Sequence, residues 1–347
     1  MSFKRSILLR YLFVGIVFPL FLQYVMYYRF TPNYQVGMLS EKGFVLGNNN
    51  GVFRYRILGA KLQLWVYEKI ANTRLVKKVH EERNKIYDAR LKVLDPEADL
   101  IFYFTYFLIS TVCSILTAIC ILRIFDMKPF FEISDQQKIL VTTLLTCFIG
   151  ITQFVITHYD MLSYFFMAFC LVLFLMHIEK NNNIYLAVLC AAIVLATLNR
   201  ESSLIILCFM ATVYIQAYSL FKVRWIQKMI LPALAYLIPY AALRFYLSGQ
   251  KKVFQDITFS ENFQFYRTKN IIAFSFFLFF LYLCNNLPNN RESRKLVWTF
   301  LLLATPYILI IFTVGLIIEV RLWMPLIMGI TILAFMNIRS LKTALAE

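Results

Sequence analysis

The sequence predicts an all-α polytopic transmembrane protein of about ten spans, with a large first external loop that contains amphipathic interfacial helices. Three observations predict it. Of 347 residues, 60% are hydrophobic, whereas a soluble domain runs at roughly 45–50%. Charged residues make up 16% and fall in clusters, against roughly 25% spread over a soluble surface. Apolar runs recur along the whole chain at the length that a spanning helix needs. That length is about 20 residues, since a helix rises about 1.5 Å per residue through a hydrocarbon core about 30 Å thick. A disordered chain is excluded, and an ordinary cytosolic enzyme fits poorly.

The candidate spans, in order, are Leu8–Tyr28, Leu100–Phe125, Ile139–Thr157, Met161–Ile178, Ile184–Leu198, Ser203–Phe221, Met229–Leu247, Ile271–Leu287, Leu296–Ile318 and Leu322–Ile338. They form a single membrane domain over 1–347, with the first external loop at 29–98 and the rest of the bundle at 99–347. The fifth is short, which is accommodated by little tilt or by local thinning of the bilayer. Lys4 and Arg5 precede the first apolar run and no small-residue cleavage site follows. This reads as a retained first span and not a removed signal peptide.

Net charge is +16, from 35 Lys and Arg against 19 Asp and Glu. In a soluble protein such an excess would suggest nucleic acid. Here it sets topology or meets anionic lipid, and no nucleic-acid partner is expected. With the N-terminus cytoplasmic, parity places fourteen basic residues in cytoplasmic segments and six in the short external loops. That asymmetry agrees with the positive-inside rule and puts both termini in the cytoplasm. The seven cysteines all sit in apolar runs without CxxC or CxxH spacing, as buried free thiols do. No N-x-[ST] sequon occurs.

The loop from Arg29 to Ala98 carries thirteen basic residues against seven acids, a surplus that topology does not require. Its first part holds Gly37, Gly43, Gly47, Gly51, Gly59 and the run NNNG, which predicts a loop and not a helix. Two amphipathic segments follow. Leu58, Leu62 and Trp65 fall on one face of the first. Leu75, Val79, Ile86 and Val93 form a stripe on the second, with Lys77, Lys78, Lys85 and Lys92 off it. Such helices lie in the membrane interface, as a lid or surface anchor or as a wall of a lipid-phosphate pocket.

Parity also gathers polar clusters on one face. External turns hold His158, Tyr159 and Asp160, then Asn199, Arg200 and Glu201, then Glu319, Val320 and Arg321. The first loop adds Glu41, Arg54 and Arg56. Arg244 is the main ionisable residue within a span and is near enough to an external end to snorkel. Each cluster also has a local reading. Asp160 can cap the fourth span, and Asn199 can cap the sixth with Glu201 in its first turn. Arg200–Glu201 and Glu319–Arg321 can be local ion pairs, and His158 an interfacial polar residue. The tetrapeptide NRES stands at Asn199–Ser202 and again at Asn290–Ser293, on opposite faces by parity, so the string alone is not a signal. The functional reading is convergence on a phosphate-bearing lipid and a polar acceptor. Arginine offers a planar fork to phosphate oxygens, and a carboxylate can take an acceptor's hydroxyl proton.

The pattern resembles the GT-C class of polyprenyl-phosphate-dependent glycosyltransferases. The likeness lies in a cytoplasmic N-terminus, a large first external loop with juxtamembrane helices, and many spans. HYDMLSYFFMAFCLVLFLM resembles the start of the fourth span in that class, and TLNRESSLIIL the following external turn. FRYRIL and EVRLWMPL resemble segments of bacterial members of unassigned substrate. The resemblance implies a polyprenyl-phosphate-linked sugar donor in the bacterial inner (plasma) membrane, an external active site, and polysaccharide biosynthesis at the cell envelope. By that likeness Asp160 is a second-loop acid and Arg200 or Arg321 a phosphate ligand, and Glu41 and Asp160 are the candidate catalytic carboxylates, as bases. Substrate-binding positions would be Arg54, Arg56, His158, Asn199, Arg200, Glu201, Glu319 and Arg321. The chain departs from the class in offering only Glu41 soon after the first span, where an Asp is usual, and in lacking DxD. A divalent metal is left open by the resemblance, without a ligand motif, and no oligomeric state follows. Alternatives are a polysaccharide polymerase, flippase or other transporter of lipid-linked sugars, and a non-catalytic membrane partner.

Overall fold

The computed structural model describes residues 2–30, 38–48, 55–71, 73, 97–218, 223–247 and 259–346. Among them the chain is helical, with one isolated bridge between Phe131 and Met336. In chain order the helices are α1 (Ser6–Tyr28), α2 (Glu41–Asn48), α3 (Ile57–Ala71), α4 (Leu100–Phe125) and α5 (Asp135–Phe154). Then come α6 (Asp160–Lys180), α7 (Asn183–Asn199), α8 (Glu201–Tyr218), α9 (Arg224–Tyr246) and α10 (Phe259–Asn262). The last are α11 (Thr268–Asn286), α12 (Arg291–Leu303), α13 (Thr305–Thr313), α14 (Val320–Ala334) and α15 (Ile338–Ala346).

Seven of these are long and apolar enough to cross a membrane, as in a multi-pass integral membrane protein: α1, α4, α5, α6, α8, α9 and α11. An eighth is the pair α12–α13, bent by 53°. The bend falls just before Pro306, which has no backbone N–H to continue the helical ladder. About ten spans were expected. The two remaining predicted segments are helical but short, 17 residues in α7 and 15 in α14.

Side chains at helix starts explain where several begin. Asp99 accepts from the Ile101 N–H at 2.8 Å and opens α4. Ser134 and Gln137 form a reciprocal capping box on α5. Asn182 caps α7, and Asn290 caps α12 by accepting from the Ser293 N–H at 2.7 Å.

The helices run up and down between two polar ends. At one end Arg10 bridges Asp126 at 2.7 Å and Asp135 at 2.6 Å, and Lys138 joins Asp126 at 2.9 Å. The Asn337 N–H bonds the Phe130 carbonyl there at 2.8 Å, so α15 and the start of α1 share that end. At the other end lie the α5–α6, α7–α8 and α13–α14 turns with the start of α3. The main apolar core packs around α6, α8, α12 and α14, with Trp323 and Phe300 fully buried in it. A smaller core of Tyr27, Leu39, Phe44, Phe102, Tyr103, Tyr106 and Ile156 lies under the first-loop helices.

The first loop departs from expectation in two ways. The stretch holding Gly43 and Gly47 is helical. Ser40 starts it by accepting the Gly43 N–H at 3.2 Å, and Phe44 anchors it with its ring 5.3 Å from Phe102 and 4.9 Å from His158. Burial of an aromatic ring outweighs the roughly 1 kcal/mol that each helical glycine costs. In α3 the buried stripe is Gly59 and Gln63, and Trp65 is exposed. Gln63 finds a polar partner in Thr105, and Gly59 admits a neighbouring backbone, so this helix buries its small and amide residues. Arg54 and the stripe of Leu75, Val79, Ile86 and Val93 lie outside the described residues.

Candidate functional site

Three turns far apart in sequence meet at one end of the bundle. Asp160, the first residue of α6, is fully buried. Its carboxylate pairs with Arg200 from the α7–α8 turn and, at 3.5 Å, with Arg321 from the first turn of α14. Arg321 is held in turn by Glu319 at 3.0 Å and donates to the Tyr159 hydroxyl at 3.4 Å. Both carboxylate oxygens of Asp160 thus face guanidinium groups. Breaking a buried pair of this kind costs about 3–5 kcal/mol, because the remaining charge is left uncompensated.

A second set of contacts centres on Glu201. Glu201 sits between Arg56 at 3.7 Å and Arg244 at 3.4 Å. Arg56 lies over the Tyr159 ring at 3.9 Å from its centroid, and Arg244 over Tyr55 at 4.1 Å. Such cation–π contacts hold a guanidinium in place while leaving its edge open for hydrogen bonding. Side-chain exposure is 4% at Arg200, 12% at Arg56, 15% at Arg321 and 38% at Arg244. Four arginines face three carboxylates here (Asp160, Glu201, Glu319), so the described cluster carries an excess of one positive charge.

The sequence motifs fold into these positions for local reasons. Asp160 does not cap its helix with its side chain. Its own N–H donates to Thr157 Oγ1 at 3.3 Å, which frees the carboxylate for the arginines. Asn199 caps nothing either. Its Nδ2 donates to the Tyr159 carbonyl at 2.9 Å and to Ser163 Oγ at 3.0 Å, tying the α5–α6 and α7–α8 turns together. Gly59 brings α3 against both turns. A Cβ at that position would stand 2.8 Å from the His158 carbonyl oxygen and 2.9 Å from Asn199 Oδ1. A side chain there would push away the helix whose start carries Arg56.

His158 is buried beside Phe44 and Tyr159, and its ring nitrogens have no hydrogen-bond partner among the described residues. Burial first, and the Arg56 charge second, push its pKa down to about 3, so the imidazole is neutral at physiological pH.

Of the residues singled out from sequence, Asp160, Arg200, Arg321, Glu319, Arg56, Glu201, Asn199 and His158 come together. Glu41 begins α2, is exposed, and lies near Tyr67, which donates to Asp99 at 2.7 Å. It makes no ion pair with the arginine cluster among the described residues. The Glu319–Arg321 local pair is present. Arg200 reaches Asp160, and Glu201 is shared by Arg56 and Arg244. Tyr55, Tyr236 and Tyr240 were not read from sequence. Tyr236 donates to the Glu201 carbonyl at 3.3 Å and Tyr240 flanks Arg244. The signal for two of them was Arg244 itself, the ionisable residue within an apolar run, with Tyr240 one turn and Tyr236 two turns before it.

The donor set does not fit a divalent cation. Each carboxylate of the cluster faces a guanidinium, and the surplus charge is positive. Among the described residues no group of three or more His, Cys, Asp and Glu converges as a metal site. The arrangement can bind an anion, with Arg56, Arg244 and Arg321 partly exposed and held by partners. No protein-family model, curated protein or solved structure matches the chain.

Proposed function

We propose that this chain is a membrane glycosyltransferase of the GT-C type. In this reading it takes a sugar from a polyprenyl-phosphate donor and passes it to a cell-surface glycan, lipid or protein on the external face. Both termini face the cytoplasm, and the membrane is the bacterial inner membrane. The observation that carries the reading is the convergence of Arg56, Arg200, Arg244 and Arg321 on one end of an apolar helical bundle. A lipid phosphate is the anion that approaches such a site from the membrane. Arginine forks stabilise the charge that develops on it as it leaves the sugar.

In the inverting reaction the acceptor oxygen bonds to the anomeric carbon as the bond from that carbon to the phosphate oxygen breaks. The acceptor's proton passes to a carboxylate. Asp160, enclosed by two arginines, serves to position them. Glu41, exposed at the start of α2, is the proposed base. Arg321 and Arg56 take the phosphate, with Arg244 and Glu201 beside them. His158 and Asn199 hold the turns.

The complete enclosure of Asp160 favours a second reading, in which the site binds lipid phosphate without catalysis, as a partner or a handler of lipid-linked sugars. A transfer assay in proteoliposomes with a set of polyprenyl-phosphate hexoses and pentoses separates the two. Glycan product from the wild type that is lost in Glu41→Gln, with polyprenyl-phosphate binding retained, supports the transferase. Binding without product from any donor supports the second reading.

A further inference from the structure

A buried polar seam runs between α1, α4 and α5, and it shares no residue with the arginine cluster. Its two ends are set by side-chain contacts. At one end Arg10 pairs with Asp126 and Asp135, Lys138 joins Asp126, and the Tyr11 hydroxyl donates to Asp126 at 2.9 Å. At the other, Tyr27 meets Ser110 at 2.7 Å and Gln153 at 3.2 Å. These contacts fix the register of the three helices. Gln23 lies one turn inward from Tyr27 on α1. Thr111 and Ser114 lie beside and one turn inward from Ser110 on α4. Thr142 lies one turn inward from Lys138 on α5. All four are buried, Gln23 and Thr142 completely.

The polar atoms of these four side chains have no hydrogen-bond partner among the described residues. Their neighbours Thr117 and Thr146 show the usual way out, since each hydroxyl bonds the carbonyl four residues back at 2.6 and 2.8 Å. Gln23 leaves both its amide nitrogen and its oxygen unpaired. Buried polar groups of native proteins are almost always bonded, to protein or to ordered water. No carboxylate lies along the seam between its ends, and the cluster at the Arg10 end balances two cations with two acids. That chemistry selects a neutral hydrogen-bonding ligand.

We propose that α1, α4 and α5 enclose a file of bound water seated on Gln23, Thr111, Ser114 and Thr142. It connects the Arg10–Asp126–Lys138 cluster with the Tyr27–Ser110–Gln153 group. Asp135 is half exposed at the Arg10 end and gives the file its opening to solvent.

X-ray radiolytic hydroxyl-radical footprinting of the full-length protein tests this, because radicals form where water is held. Cys113 borders the seam, adjacent in sequence to Ser114 and near Tyr27. Cys170, 0% exposed against 5% for Cys113, is a thiol of the same apolar core with apolar neighbours on both sides in sequence. Cys113 and Tyr27 are expected to oxidise several-fold faster than Cys170. In Gln23→Leu the Cys113 rate is expected to fall to that of Cys170 with Tm unchanged or raised. Equal protection of Cys113 and Cys170 in the wild type overturns the proposal. So does a Gln23→Leu variant that loses Tm while its labelling is unchanged, since Gln23 would then be bonded by protein. If Gln23→Leu fails to fold, Ser114→Ala carries the same comparison: slower Cys113 oxidation supports the file and an unchanged rate overturns it.

Discussion

Arg200 reaches across the end of the bundle to pair with Asp160, forty residues earlier in the chain, and the two side chains are 4% and 0% exposed. The pair joins the α5–α6 turn to the α7–α8 turn, and Arg321 brings the start of α14 to the same carboxylate. Asp160→Asn removes the charge that buried Arg200 and partly exposed Arg321 share. A loss of about 3–5 kcal/mol is expected, read as a lower Tm in detergent. Arg200→Gln should lose a similar amount. The double variant should lose clearly less than the two losses added, because it removes a pair and not one partner. Additive losses would mean that the two residues do not interact.

Gly59→Ala tests how α3 is seated. The added Cβ would stand 2.8 Å from a backbone oxygen, which is closer than a flexible neighbour could relieve. Overpacking of this kind costs about 1–3 kcal/mol. Weaker binding of a polyprenyl phosphate is expected with it, since α3 carries Arg56 to the site. Gly59→Ala with unchanged Tm would show that α3 is not docked on the His158 and Asn199 turns.

His158 supplies a pH dependence. Its folded pKa is about 3, below the ordinary value of 6.5. The unfolded chain therefore takes up a proton at this residue as pH falls below about 6.5, and the folded protein does not. Its contribution to stability is fully present above that range and is lost progressively between about pH 6.5 and pH 3, with a slope approaching ~1.4 kcal/mol per pH unit. Denaturant unfolding at pH 7 and pH 5 should show a steeper loss in the wild type than in His158→Gln. Parallel pH profiles for the two would contradict a buried neutral imidazole.

Helix positions were legible in the sequence because a membrane helix needs only a run of apolar residues. Each of the ten predicted segments holds helix among the described residues, although α7 and α14 are short and the ninth is the bent pair α12–α13. The partners of the polar residues were less legible. Arg200 has Glu201 beside it in sequence and pairs instead with Asp160. Which carboxylate it meets depends on helix packing. The two NRES copies make the point sharply. Asn290 caps α12 through the Ser293 N–H, while Asn199 spends its amide on Tyr159 and Ser163. The same four residues act locally at one end of the bundle and as a tertiary tie at the other. Arg10 lies inside the first predicted span, where its sequence neighbours offer no acid. Its two acids come from α5 and from the turn after α4, and only the fold brings them within reach. The helix at Glu41–Asn48 was hidden by its glycines, and the buried contacts of Phe44 that sustain it come from α4 and His158.

Glu41→Gln addresses the base and should abolish sugar transfer while leaving Tm and lipid binding unchanged, because Glu41 is exposed and outside the arginine cluster. Full transfer activity in this variant would place the base elsewhere.

The central claim is that the arginine cluster holds a lipid phosphate, and its most direct measurement is binding of a polyprenyl phosphate and of the matching neutral polyprenol to wild type and Arg321→Gln in detergent. The account predicts that the wild type prefers the phosphate. Arg321→Gln should weaken phosphate binding about tenfold or more, the equivalent of one charge-assisted hydrogen bond, and leave polyprenol binding unchanged. Equal binding of phosphate and polyprenol by the wild type, or phosphate binding indifferent to Arg321→Gln, would contradict it.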